Sequence, residues 1–272
     1  MEIRVKRLSQ VIIIKRFDIV TLLPSLSYKL KGWDILLENL QEPSLFIIVR
    51  YTLTYLADCF DGNTKMEQIG ERLSFIKPDF ATKPFEVLCH MKYGGMLAVV
   101  VRRMNGMAVD FNRTWKEYVD GFGHGSTEYW LGLENIYQLT VQNNFKLNII
   151  IFSSEGYCQD YYTFQIGPAS TNYALSLTGY MPTKYQSPGE SYCGDAWNFQ
   201  AGDPPTPFST IDHDVSGTGC PKLMAAGGWF SAENCTNGNI NGPHVNLEKF
   251  SLWDTSPFPF SSVTAMYIRL VK

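Results

Sequence analysis

Residues 110–123 read Asp110-Phe111-Asn112-Arg113-Thr114-Trp115-Lys116-Glu117-Tyr118-Val119-Asp120-Gly121-Phe122-Gly123. Trp115, Tyr118 and Val119 stand at i, i+3 and i+4, one face of an α-helix, so the spacing predicts a short helix over residues 112–119. Outward from it the pattern changes. Residues 85–88, 97–101 and 146–152 are short β-rich runs punctuated by Gly, Pro, Asn and Asp, and predict strands. Residues 161–166 and 173–177 predict two more, joined as a hairpin across Gly167-Pro168, a dipeptide that ends regular structure. Residues 263–270 return to β character and are expected to rejoin the central sheet. Residues 179–259 are rich in Gly, Pro, Asn and Ser yet hold Trp197, Trp229 and Trp253, too aromatic for a linker, so a folded lobe built from loops is expected. Its main chain must be satisfied by turns, side chains, disulfides or a bound ion, and such loop-built surfaces are where binding sites tend to sit.

The chain of 272 residues is 45% hydrophobic, 18% charged and 14% aromatic, with 22 Gly and 14 Pro, which excludes a disordered protein and disfavours a helical bundle. A net charge of -3 excludes a globally basic nucleic-acid binder. The charge is uneven: residues 1–32 carry a net +5 and the remainder -8. Apolar runs at residues 11–14, 19–23 and 44–57 are broken or flanked by Lys15, Arg16, Asp18 and Arg50. They fall short of the roughly 20 apolar residues of a membrane span, and the same charges interrupt any secretory leader.

Six cysteines, Cys59, Cys89, Cys158, Cys193, Cys220 and Cys235, fit three disulfides or six buried thiols. None forms a CxxC pair, so a zinc ribbon or thioredoxin-like site lacks its ligand spacing. Two sequons, Asn112-Arg113-Thr114 and Asn234-Cys235-Thr236, make Asn112 and Asn234 candidate glycosylation sites and agree with an extracellular chain. His90, His124, His213 and His244 fall in no HExxH or GxSxG context, and Gly121-Phe122-Gly123-His124-Gly125 lacks the ending of a phosphate loop. No enzyme is predicted.

Several ordered strings resemble the fibrinogen C-terminal domain, the module shared by fibrinogen chains, ficolins, tachylectins, angiopoietins and tenascins. They include Pro84-Phe85-Glu86-Val87-Leu88-Cys89, Val101-Arg102-Arg103, the string from Asp110 to Gly123, and Glu128-Tyr129-Trp130-Leu131-Gly132. Later come Phe208-Ser209-Thr210-Ile211-Asp212, Gly227-Gly228-Trp229, Asn239-Ile240-Asn241-Gly242 and Met266-Tyr267-Ile268-Arg269. The resemblance implies an α+β fold: a small N-terminal subdomain, a central, mostly antiparallel sheet with short helices, and a loop-rich C-terminal binding lobe. It assigns that domain to residues 58–272. Residues 1–57 match nothing in the pattern and are read as a divergent extension or a wrongly predicted gene start. Where the family usually has a Trp after Gly-Gly, this chain has Gly94-Gly95-Met96-Leu97. By their flanking motifs, the resemblance implies disulfides joining Cys59 to Cys89 and Cys220 to Cys235, which leaves Cys158 with Cys193.

Asp212, Asp214 and Ser216 alternate, a glycine follows, and Thr218 comes next, a pattern that lets a loop wrap a hard cation. Leu223 stands where an EF-hand needs its Glu. In the resembled family two acidic residues and backbone carbonyls hold calcium here; Asp214 matches the first, and Ser216 stands in place of the second. Carbohydrate-binding members use a pocket beside the last cysteine, often with a cis peptide before it. That implies Phe230, Ser231, Asn234, Cys235, Thr236 and His244 as ligand-binding residues. The expected function is a secreted, lectin-like recognition protein for glycans or acetylated groups, of the innate-immune kind. The alternative is a protein-binding module acting on a cell-surface receptor or matrix partner through the same lobe. An oligomer is expected only if an N-terminal segment absent from this chain supplies it.

Overall fold

In the computed structural model of the protein, the described residues are 11–15, 33–36, 46–51, 55–59, 70–90, 96–103, 109–142, 144–153, 156–182, 204–230, 235, 241–242 and 263–271. The chain divides into two compact units, Met1–Tyr55 and Leu56–Lys272. In the first, β1 (Val11–Lys15), β2 (Trp33–Leu36) and β3 (Phe46–Tyr51) form an antiparallel sheet in the order β1-β3-β2. Two of the interrupted apolar runs, those at residues 11–14 and 44–57, therefore contain strands.

The second unit is built on a nine-stranded sheet. Its strands are β4 (Glu71–Ile76), β5 (Phe85–His90), β6 (Met96–Arg103), β7 (Phe122–Gly123), β8 (Tyr129–Trp130), β9 (Phe145–Ser153), β10 (Gly156–Ile166), β11 (Leu175–Pro182) and β12 (Val263–Val271). The order is β11-β10-β9-β12-β6-β5-β4, with β8 joined to β6 and β7 to β8, and every ladder is antiparallel. The strands expected at residues 85–88, 97–101, 146–152 and 161–166 all lie inside observed ones. Strand β12 takes the middle of the sheet between β9 and β6, so the β character of residues 263–270 does close the sheet. In β6, Leu97 to Val101 are each at most 2% exposed, because both faces are covered; an unbroken apolar run is what such a strand requires. Met96, which follows Gly94-Gly95, fills a buried position at 7% exposure.

The predicted helix is α1 (Trp115–Asp120), closed by Thr114 and Glu117 in a capping box: Glu117 N–H donates to the Thr114 hydroxyl, and Thr114 N–H to the Glu117 carboxylate. A second helix, α2 (Leu133–Thr140), buries Leu133, Ile136, Leu139 and Thr140. Gly121 holds φ 90, and a Cβ there would stand 2.6 Å from the Leu131 carbonyl oxygen, so only glycine lets α1 turn onto β7. The hairpin of residues 161–177 forms, but β11 begins at Leu175 rather than Tyr173. Asn172 and Tyr173 hold φ 52 and 48, a left-handed pair that cannot extend a strand. Beyond β11 the described part of the lobe has one short helix, α3 (Cys220–Met224), and isolated bridges, which matches the loop-built reading.

Candidate functional site

The lobe is seated on aromatic rings from three parts of the chain. Tyr118 of α1 and Trp130 of β8 meet edge to face at 5.3 Å, Trp130 lies 5.7 Å from Phe208, and Phe208 meets Trp229 edge to face at 4.9 Å. Tyr118 is fully buried; its hydroxyl donates to the Phe111 carbonyl at 2.7 Å and accepts the Gly227 amide at 3.1 Å. A Cβ on Gly227 would stand 2.7 Å from the Tyr118 ring, so the Gly227-Gly228-Trp229 string is a close approach of backbone to aromatic ring.

A buried charge pair ties the same region to the sheet. Arg102 and Glu128 are each 1% exposed, and Arg102 Nε donates to Glu128 Oε1 at 3.4 Å. Arg102 Nη2 donates to the Gly242 carbonyl at 3.1 Å, while its guanidinium lies 3.8 Å from the centre of the Phe111 ring. Glu128 Oε2 accepts the Val109 amide at 2.7 Å. Burial lowers the Arg102 pKa and the Glu128 charge opposes that shift.

The loop singled out for a cation runs from Ser209 to Cys220. Thr210 and His213 exchange both backbone hydrogen bonds at 3.1 Å and make a tight turn with Asp212 near its tip. Asp212 Oδ1 accepts the Trp115 amide and the Thr210 hydroxyl, both at 2.8 Å. Asp214 Oδ1 accepts the Ser216 hydroxyl at 2.6 Å and the Gly217 amide at 3.1 Å, and Oδ2 accepts the Gly219 amide at 2.9 Å. Burial alone would raise both carboxyl pKa values, but these donors together hold both below the ordinary value. His213 is pinned by its ring: Nε2 contacts Asn172 Oδ1 at 2.9 Å, and the imidazole lies 4.2 Å from the Trp115 ring. The four predicted cation ligands, Asp212, Asp214, Ser216 and Thr218, do share one loop, but Oδ1 of each Asp already accepts two hydrogen bonds. No cluster of three or more His, Cys, Asp or Glu occurs among the described residues. As folded, two carboxylates and two hydroxyls are the side-chain oxygens this set offers a hard cation, which takes six to eight oxygen ligands.

Two of the expected disulfides are present, Cys59–Cys89 with Cα atoms 5.6 Å apart and Cys220–Cys235 at 5.2 Å. The pairing of Cys158 with Cys193 lies outside the described residues, as do Ser231, Asn234, Thr236 and His244, together with the peptide bond before Cys235. Phe230 is 3% exposed and packs with Cys220 and Met224 in a small cluster, so its ring is interior and forms no open pocket wall. Trp229 is partly buried, and its indole N–H is spent on the Tyr173 carbonyl at 2.9 Å. Asn112 is exposed, and its amide N–H donates to Asp110 Oδ1 at 2.9 Å. The glycine string of residues 121–125 enters a β7–β8 hairpin and opens no helix, so it offers no phosphate cradle. The sequence gives no binding role to Ile211, Val215 and Leu223, exposed at 47%, 39% and 70% on this loop and α3. An apolar residue in a polar string gives no sign of the side it faces.

The model of the family of fibrinogen beta and gamma chains, C-terminal globular domain, matches residues 56–261. Mouse angiopoietin-2 is 32% identical over 199 residues, covering 68% of this chain and 38% of the relative. Human angiopoietin-4 is 36% identical over 172 residues, covering 61% and 31%. The chain thus spans about a third of the length of the curated relatives it matches. Of solved structures, the fibrinogen-like globe domain of human ANGPTL2 matches with a TM-score of 0.60 at 25% identity, over 79% of this chain and 98% of that one. A lamprey fibrin D-dimer complexed with the peptide ligand Gly-His-Arg-Pro-amide matches with a TM-score of 0.63 at 25% identity, over 80% and 74%. The matched span takes in the capped helix at Trp115, the Asp212 loop and both described disulfides, and by it the chain belongs to the family of fibrinogen C-terminal globular domains.

Proposed function

We propose that the chain is the recognition module of an extracellular protein and binds another protein, a receptor or a matrix component, through the loop-rich lobe. The carrying observation is the exposure of Ile211 and Val215 within a segment whose backbone is fixed at both ends, and of Leu223 on the helix α3 that follows it. Ser209 bridges Gly228 on one side, and Cys220 is bonded to Cys235 on the other. Apolar side chains presented on an ordered frame bind without a large ordering cost and supply the buried centre of a protein interface. Asp212 and Asp214 beside them favour a partner that rims its apolar contact with basic groups. The relatives include angiopoietins and an angiopoietin-like structure, which supports this reading over the lectin one. The interior position of Phe230 and the engaged indole of Trp229 leave an acetyl group fewer rings to rest on.

The test is binding of labelled full-length chain to cultured cells and deposited matrix. Protease treatment of those surfaces, or the triple variant I211D/V215D/L223D with an unchanged melting temperature, should abolish binding, whereas N-acetylglucosamine and glycosidases should not. Binding that survives protease and is competed by N-acetylglucosamine would return the function to glycan recognition.

A further inference from the structure

We infer that the Asp214 loop is held in shape by a hydrogen-bond relay through the Ser216 and Thr218 hydroxyls, which takes the place of a bound calcium ion. The inference concerns the loop's own stability and does not depend on what the lobe binds.

The relay has a direction. Ser216 Oγ carries one proton and lies 2.6 Å from Asp214 Oδ1, an ionised acceptor, so that proton goes to the carboxylate. Ser216 Oγ is also 2.7 Å from Thr218 Oγ1; with its proton already given, it must accept there, and Thr218 donates. Thr218 Oγ1 then accepts the Cys220 amide at 3.2 Å, and Ser216 Oγ accepts the Thr218 amide at 3.3 Å. The chain of donors runs from the Cys220 amide through Thr218 and Ser216 to Asp214, joining the carboxylate to the first residue of α3 and the Cys220–Cys235 disulfide. Gly217 and Gly219 amides complete the coordination of Asp214, and the Ser216 amide donates to the fully buried Ser209 hydroxyl at 3.2 Å.

Residue 216 decides between the two ways of holding such a loop. A carboxylate there would face Asp214 with two acceptors and no proton between them, and only a cation could relieve their repulsion. A hydroxyl supplies the positive end itself. The fold in the Ser209–Cys220 segment is therefore available without metal, and the lobe's surface is presented at any calcium concentration.

The experiment measures the melting temperature of the full chain in millimolar calcium and in EDTA, for the wild type and two variants. The wild type should melt at the same temperature in both. Ser216→Ala keeps the loop uncharged but cuts the relay, and should lower the melting temperature by about 2–4 °C equally in both. Ser216→Asp should melt lower than the wild type in EDTA and recover in calcium, because a ligand that binds only the folded state raises its melting point. Stabilisation of the wild type by calcium by several degrees overturns the inference. So does an unchanged melting point for Ser216→Ala, or a Ser216→Asp variant as stable as the wild type in EDTA.

Discussion

Asp212 accepts the first backbone amide of α1, that of Trp115, at 2.8 Å across 97 residues of chain. The carboxylate faces a helix N-terminus, where unpaired amides and the helix dipole favour a negative charge, and the same oxygen holds the Thr210 turn. One side chain thus fixes the loop to the helix. Asp212→Ala should cost about 1–2 kcal/mol and lower the melting temperature by about 2–8 °C, while Asp212→Asn, which keeps an acceptor, should cost less. Thermal melts of the two variants side by side make the comparison.

Acid should loosen this loop. The Asp212 and Asp214 carboxyls are held below their ordinary value in the fold. Their contribution to stability is therefore complete above the unfolded carboxylate value near 4 and is lost as pH falls through the lower folded value. Denaturant midpoints should fall as the pH drops below about 4, and the double variant D212N/D214N should show a shallower fall. An equally steep fall in the double variant would place the acid sensitivity elsewhere.

Tyr118→Phe changes almost no volume but removes the hydroxyl that bridges Phe111 and Gly227. Burial pushes this phenol's pKa up, so it stays protonated and serves as donor and acceptor at every physiological pH. The variant leaves the Gly227 amide without the Tyr118 oxygen, while the Phe111 carbonyl keeps the Arg113 amide at 2.9 Å, an expected loss of about 1–3 kcal/mol in urea unfolding. The loss should exceed that of a Tyr→Phe change at Tyr137, a partly buried ring at the side of the core.

The Arg102–Glu128 pair should behave as a unit. Arg102→Met removes the opposite charge from a carboxylate that is 1% exposed, and Glu128→Leu removes it from the guanidinium; each is expected to cost about 3–5 kcal/mol. The double variant should recover part of the loss, short of the roughly 1–3 kcal/mol for each of the Val109 amide and the Gly242 carbonyl, which lose these side-chain partners. A double-mutant cycle with additive losses would show that the two charges act separately.

Periodicity and punctuation revealed what is local. The Trp115, Tyr118, Val119 spacing marks α1, and the β-rich composition of residues 146–152 and 263–270 marks two central strands. Thr114 and Glu117 also spelled a capping box that would have fixed the helix start one residue before Trp115. Helix α2 has no side-chain cap at Gly132 to announce it, although Leu133, Ile136 and Leu139 keep a helical period. Strand β4 carries a weak signal because it lies at the sheet edge: Glu71 and Arg72 are exposed and only Ile76 is fully buried. The long-range ties had no local signal. Nothing in the sequence near Asp212 points to Trp115, nor near Arg102 to Glu128, 26 residues away. The resemblance located the loop and two disulfides, while Ser216, the one departure in the acidic pattern, showed its meaning only once its hydroxyl was seen against Asp214.

The boundary between the two compact units, between Tyr55 and Leu56, yields a prediction about where the chain can be cut. The second unit has its own core and its own sheet, and its first described residues are tied into it. Leu56 bridges Ile76 and accepts the Lys77 amide at 2.8 Å, while Cys59 is 2% exposed and bonded to Cys89 on β5. A fragment of residues 56–272 should therefore fold with a melting temperature within about 2 °C of its transition in the full chain. A fragment of residues 60–272 loses Leu56 and Cys59 together. The disulfide closes a loop of 30 residues, for which restriction of the unfolded chain is worth roughly 3–4 kcal/mol, and its loss leaves Cys89 as a buried thiol and the end of β4 without its bridge. That fragment should melt at least about 6 °C lower. Reduction should lower the melting point of the longer fragment, which holds both described disulfides, by more than that of the shorter one. If residues 60–272 match 56–272 under oxidising conditions, Cys59–Cys89 is not what anchors the start of the domain, and the anchoring must come from β4 and β5 alone.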